Sequence, residues 1–250
     1  MPGVSEAARP VRIAMWSGPR NISTAMMRAW ENRGDTAVWD EPFYAYYLSA
    51  TGIDHPVDSE VIAAGETDWR RVVDRLLGDV PDERPVFFQK HMTHHLLPEI
   101  DRGWMDAVVN CFLIRDPREV LSSYARMRST VTVEDVGVPQ QAEIFDFVKA
   151  RRGGAPVVLD ARDVLEDPRG ILNALCTRVE VEFSDRMLAW PPGSRESDGV
   201  WAKHWYHSVH RSSGFQPYVP KGHMLPDRLE PLALECEPHY RRMWEQRLIP

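Results

Sequence analysis

The sequence predicts an α/β protein, a three-layer sandwich with a central, mostly parallel β-sheet flanked by helices. Two observations carry this prediction. Short apolar runs of strand length alternate with segments of good helix propensity along most of the chain, the pattern of a parallel sheet covered on both faces. The stretches richest in chemically active side chains come directly after apolar runs, and ligands of such sheets bind at the carboxyl ends of the strands.

Residues 11–16 (VRIAMW) have the length and flanks of a buried strand. A turn at Ser17-Gly18-Pro19 leads through Arg20, Asn21 and Ile22 to Ser23 and Thr24, capping-type residues ahead of a helix over 25–30. A strand, a tight turn and a helix N-terminus form an anion site, because unpaired N–H groups and the positive end of the helix dipole converge there. Arg20 adds a bidentate cation, and Ser23 and Thr24 add hydroxyl donors.

Residues 36–39 read as a second strand, closed by Asp40-Glu41-Pro42, and the aromatic run 43–48 as a helix. Residues 51–58 are punctuated as a loop by Gly, Asp and Pro, and an amphipathic helix is expected over 69–77. A third strand over 85–90 runs into the His-rich stretch Lys90-His91-Met92-Thr93-His94-His95, and residues 107–114 are the clearest buried strand. Arg115-Asp116-Pro117-Arg118 ends that strand, and Pro117 starts a helix. A helix over 143–151, a fifth strand over 156–160 and a Pro168-initiated helix to about Arg178 follow. Beyond Pro191 the chain becomes irregular and rich in aromatics and His, and a closing helix over 229–248 is expected to be interrupted at Pro231 and Pro238. No linker-like composition divides the chain, so residues 1–10 read as a flexible tail and 11–250 as one domain.

The chain has 250 residues, 43% hydrophobic and 27% charged, with no apolar run long enough to span a bilayer and no signal-peptide core in the tail. Its three cysteines, Cys111, Cys176 and Cys236, are widely spaced, which argues for reduced thiols in a cytoplasmic protein and against a zinc framework. No His, Cys, Asp or Glu spacing marks a metal site, and none is expected. A net charge of −7 makes nucleic acid an unlikely partner while leaving room for a local basic pocket. The G-x-x-x-x-G-K-[ST] loop of nucleotide triphosphatases is absent.

SGPRNIST after the first strand and FLIRDPREVLSSY later in the chain together resemble the two elements by which the sulfotransferase superfamily binds 3′-phosphoadenosine 5′-phosphosulfate (PAPS). The first of these usually reads PKSGTT or PRSGST and holds the 5′-phosphosulfate. The second is an Arg at a strand end with a Ser on the following helix, and it holds the 3′-phosphate. The resemblance maps Gly18, Pro19, Arg20, Asn21, Ile22, Ser23 and Thr24 onto the first and Arg115 and Ser123 onto the second; Lys221-Gly222 is similar to a late Lys-Gly of the family. It implies the P-loop-like sulfotransferase fold, PAPS as donor, adenosine 3′,5′-bisphosphate (PAP) as product, and a small-molecule acceptor. Two departures stand out. Ile22 replaces a Gly, and Ala25 replaces an aromatic that stacks on adenine, leaving Trp16, Trp201 and Trp205 as candidates for that role.

Sulfuryl transfer needs a base for the acceptor's proton and cations for charge on the leaving phosphate. The resemblance offers two bases. His91, in KHMTHHLLP, falls on the His of the cytosolic sulfotransferases, and Glu41, in DEP, resembles the Glu of the bacterial carbohydrate sulfotransferases. Lys90 and Arg20 are the expected stabilisers of developing charge. The competing readings are a nucleotide binder without turnover and a small-molecule kinase, which would recruit Asp40 or Asp160 to hold Mg²⁺.

Overall fold

The fold is described from a computed structural model, over residues 9–125, 130–220 and 225–250. Five strands, β1 (Val11–Ser17), β2 (Thr36–Asp40), β3 (Val86–Met92), β4 (Val109–Ile114) and β5 (Val157–Asp160), form one sheet in the order β2-β3-β1-β4-β5. Every pairing is parallel. Each strand therefore ends on the same edge, and the segments after β1, β2, β3 and β4 emerge side by side there.

Period-two alternation splits the sheet into two apolar faces. Ile13, Met15, Phe88 and Leu113 pack under α1 (Ser23–Glu31) through Met26, Met27 and Trp30. Helix α9 (Pro168–Arg178) covers the same face through Ile171, Leu172 and Leu175. On the reverse, Ala14, Trp16, Phe112 and Ile114 pack under α4 (Trp69–Leu77) and α7 (Val138–Arg152) through Val72, Leu76, Phe145 and Val148. The expected sandwich is thus present.

Several boundaries differ from the sequence reading, each for a local reason. Strand β3 runs on to Met92, because its pairing with β1 continues through Trp16↔His91 and Ser17↔Met92. Helix α7 begins at Val138, right behind the left-handed Gly137 and a Thr132–Asp135 capping box on α6 (Val133–Val136). The unforeseen α3 (Asp58–Ala64) and α8 (Ala161–Glu166) occupy the stretches after α2 (Tyr44–Thr51) and β5. The closing helix, α12 (Glu230–Trp244), is continuous. Pro231 sits in its first turn, where no N–H is needed, and Pro238 deprives only the carbonyl of the exposed Leu234 of its helical partner, which water can replace. The tail up to Ala8 and the Lys221-Gly222 pair lie outside the described residues.

Candidate functional site

The strand-to-helix corner after β1 is held by its neighbours. Gln141 of α7 donates from Nε2 to the carbonyls of Trp16 (2.9 Å) and Leu113 (3.0 Å), tying together the ends of β1 and β4. Asn21 donates to the Leu113 carbonyl at 2.9 Å and accepts from the Ile22 amide at 2.8 Å. Gly18 allows a close approach, since a Cβ there would lie 2.6 Å from the Val136 carbonyl oxygen. The expected caps are not caps. Ile22 occupies the cap position of α1, no side chain caps its first turn, and Ser23 and Thr24 stand inside the helix. The first-turn amides are therefore available to an anion, a role that a capping side chain would have pre-empted.

Arg20 has a left-handed backbone (φ 55°), unusual for a side chain with a Cβ, and it turns the residue toward β4. Its Nε donates to Ser123 Oγ on α5 (Pro117–Tyr124) at 3.1 Å, and its carbonyl accepts from Arg115 at 3.0 Å. Arg115 is aimed by Glu119, whose Oε2 accepts from its Nε and a terminal nitrogen at 2.9 and 2.7 Å, while Tyr218 donates to the other Glu119 oxygen at 2.6 Å. The two basic corners read separately in the sequence are thus in contact.

They form one wall of a cavity of about 530 Å³ whose lining includes Pro19 to Ala25, Arg115 and Ser123. The same cavity is lined by Glu41, Tyr44, His55, Lys90, His95 and Tyr206, and by residues of the segment 212–219. Trp205 is the one member of the adenine-stacking trio on this lining; Trp16 is fully buried in the core and Trp201 packs against Tyr44 beneath the surface.

Glu41 follows β2 with φ 45°, its amide donating to the Lys90 carbonyl at 2.9 Å. That strained conformation is characteristic of residues held for a task. Lys90 spends all three ammonium protons inside the protein, on Asp40 Oδ1 (2.7 Å), Glu41 Oε1 (2.6 Å) and Tyr206 Oη (2.8 Å). Tyr206 in turn donates to Asp40 Oδ2 at 2.6 Å, and Trp201 donates to Tyr206 Oη at 3.2 Å. Burial alone would lower the Lys90 pKa, but the two carboxylates hold it well above its ordinary value. Burial raises the Glu41 pKa, Lys90 opposes that rise and Asp40 reinforces it. The result is a carboxylate whose pKa lies above its ordinary value, 11% exposed, on the cavity lining. Lys90, also on the cavity lining, thus holds Glu41 by its Oε1.

His91 is not on this lining. Strand parity sends it to the reverse face, where it stacks on Trp16 (centroids 4.4 Å apart) and packs by Phe43 and Trp104. Its Nε2 lies 3.4 Å from Gln89 Oε1, and burial together with the Lys90 charge pushes its pKa down to about 3. Of the aromatics 43–47, Tyr44 lines the cavity and Phe43 belongs to the core. The sequence reading gave no role to Asp40 as the anchor of Lys90, to Gln141, or to His95. A carboxylate doublet at a strand end and a second His beside the strand were the available signals, and neither specifies a partner.

A family described as the sulfotransferase domain matches residues 11–246. Two curated plant proteins from Arabidopsis thaliana, the branched-chain-amino-acid aminotransferase-like proteins 2 and 1, are 31% and 35% identical over 91% and 83% of this chain. The chain spans only 40% and 37% of their lengths. Among solved structures, the sulfotransferase domain of the Synechococcus PCC 7002 olefin synthase is 14% identical with a TM-score of 0.58, covering 97% of both chains. A sulfotransferase from Alicyclobacillus acidocaldarius gives 15% identity and a TM-score of 0.57, covering 97% of this chain and 98% of its own. These structures share the fold. With the family match across nearly the whole chain, they lead to one conclusion: this chain belongs to the sulfotransferase domain family.

Proposed function

We propose that this protein transfers a sulfuryl group from PAPS to a hydroxyl or amine of a small-molecule acceptor, with Glu41 as general base. The observation that carries the reading is the direct contact of the two anion-binding corners, Arg20 with Ser123 and Arg115 with the Arg20 carbonyl, on a cavity that faces Glu41. The uncapped first turn of α1, Arg20, Ser23 and Thr24 fit a 5′-phosphosulfate, and Arg115 with Ser123 fits a 3′-phosphate. The donor supplies an activated sulfur–oxygen bond. Arg20 stabilises charge on the departing phosphate, and Glu41, held by Lys90, takes the acceptor's proton as the acceptor atom attacks in line. A phosphate-transferring kinase would need a carboxylate at the site for Mg²⁺; Asp40 is engaged by Lys90 and Tyr206, and Asp160, which accepts from Tyr240 and the Arg162 amide, is not on this cavity's lining.

Calorimetry with PAP in the presence and absence of Mg²⁺ tests the donor site, and tight metal-independent binding is expected. Glu41→Gln should then abolish sulfate transfer from PAPS, by a factor of about 10²–10⁴, with PAP affinity intact. His91→Phe, which keeps the stack on Trp16, should retain turnover. Active Glu41→Gln protein would remove Glu41 from the mechanism, and inactive but folded His91→Phe protein would return His91 to it.

A further inference from the structure

The segment 212–219 contributes to the cavity lining and is anchored at two points. Near its start the Ser213 carbonyl accepts from the Trp190 amide at 3.0 Å, Gly214 bridges to Ala189, and Phe215 meets the buried Trp190 edge-on (centroids 5.2 Å apart, 84°). Toward its end Tyr218 is set between α5 and α8. The Arg162 guanidinium of α8 lies 5.1 Å from the centre of the Tyr218 ring, and Tyr218 Oη lies 2.6 Å from Glu119 Oε1 on α5. Arg115 and Tyr218 both line the cavity, whereas Glu119, 7% exposed, does not. Any effect of Glu119 on a ligand there must therefore pass through Arg115.

The direction of each hydrogen bond is unambiguous. Glu119 pairs with Arg115 as a carboxylate and can only accept, so the Tyr218 hydroxyl donates. That contact, ahead of burial, pushes the Tyr218 pKa up to about 12, which keeps the proton in place near neutral pH. Arg115 has five N–H donors. Three are taken, two by Glu119 Oε2 and one by the Arg20 carbonyl, so each terminal nitrogen retains one. A phosphate accepts two N–H groups of one guanidinium, and this pair is available for it. Where the pair points depends on the torsions of a long side chain, and Glu119 fixes them by holding the Nε edge. Tyr218 fixes Glu119 in turn. With Oε2 held by Arg115 and Oε1 by Tyr218, the carboxylate cannot rotate without breaking one of the two contacts. A guanidinium ordered before the ligand arrives loses less freedom on binding.

We propose that Tyr218 is a positioning residue for the donor site: through Glu119 it holds Arg115 in the orientation that grips a 3′-phosphate, and so strengthens the preference for a nucleotide carrying that group over one without it. This rests on the PAPS reading above.

Calorimetry with PAP and with adenosine 5′-phosphate, the same nucleotide lacking the 3′-phosphate, tests the assignment. Tyr218→Phe keeps the ring beside Arg162 and removes only the hydroxyl. It should lower PAP affinity by about threefold to tenfold and leave adenosine 5′-phosphate affinity unchanged. Arg115→Met should narrow the gap between the two nucleotides, and adding Tyr218→Phe to it should weaken PAP no further, because Tyr218 acts through Arg115. The Tyr218→Phe comparison stands alone should Arg115→Met fail to fold. Tyr218→Phe protein that binds PAP as wild type does, an equal loss with both nucleotides, or a loss that persists in the Arg115→Met background would each overturn the assignment. Wild type that binds PAP no more tightly than adenosine 5′-phosphate would instead overturn the donor reading on which it rests.

Discussion

At the scale of single residues, the site is governed by one buried cation shared between two carboxylates. Lys90 is 1% exposed and neutralises part of the charge of Asp40 and Glu41, while Tyr206 completes its donors. Removing one partner of such an arrangement leaves uncompensated buried charge, which is more damaging than the pair is stabilising. Lys90→Met is therefore expected to destabilise the fold by about 3–5 kcal/mol, read from chemical denaturation at neutral pH. It should also raise the Glu41 pKa further, because Lys90 is the main influence holding it down. The base works deprotonated, so the acidic limb of the pH–rate profile should move to higher pH in any variant that folds. Denaturation midpoints equal to wild type would mean that the Lys90 contacts carry no net charge compensation.

At the scale of elements, the corner between β1 and α1 depends on the loop before α7 as much as on its own sequence. Gly18 lies against the Val136 carbonyl, and the left-handed Gly137 (φ 71°) packs against Thr93. Gly18→Ala would place a methyl 2.6 Å from a backbone oxygen that has no flexible end to yield. Overpacking of this kind costs about 1–3 kcal/mol and shifts backbone. Gly18→Ala should lower the thermal midpoint and weaken PAP binding together, in a denaturation scan paired with calorimetry. Unchanged affinity would show that the α1 N-terminus is positioned independently of this contact. The length of β3 is the other decisive element, because it sets the faces of Lys90, His91 and the residues that follow.

At the scale of the whole molecule, histidines buried in neutral form make the fold sensitive to acid. His91 and His94 have pKa values pushed from 6.5 down to about 3 and about 4 by burial, and His95 is also lowered. The unfolded chain gains these protons below pH 6.5 and the folded chain does not, so stability is lost as pH falls from there toward the folded values. Asp160 and Glu41 act in the opposite sense, since burial raises both and the fold binds their protons first. A single-residue comparison isolates the effect. Between about pH 6 and pH 4, wild type should lose stability relative to His91→Phe by about 1.4 kcal/mol per pH unit. A constant difference across that window would mean that His91 titrates alike in both states.

The order of strands and helices was legible because it rests on local patterns: apolar runs, turn residues, and prolines that open helices. The two basic corners were legible for the same reason, as Arg20 and Arg115 each follow a strand whose end the sequence marks. What the local pattern does not hold is side-chain direction and partner choice. Lys90 and His91 are adjacent in the chain, yet a strand repeats every two residues, so one reaches the cavity and the other the aromatic core. That Asp40, Glu41 and Tyr206 should share the Lys90 ammonium was decided by tertiary packing. Those contacts join segments distant in sequence, and only the closed sheet and its covering layers bring them within hydrogen-bonding range.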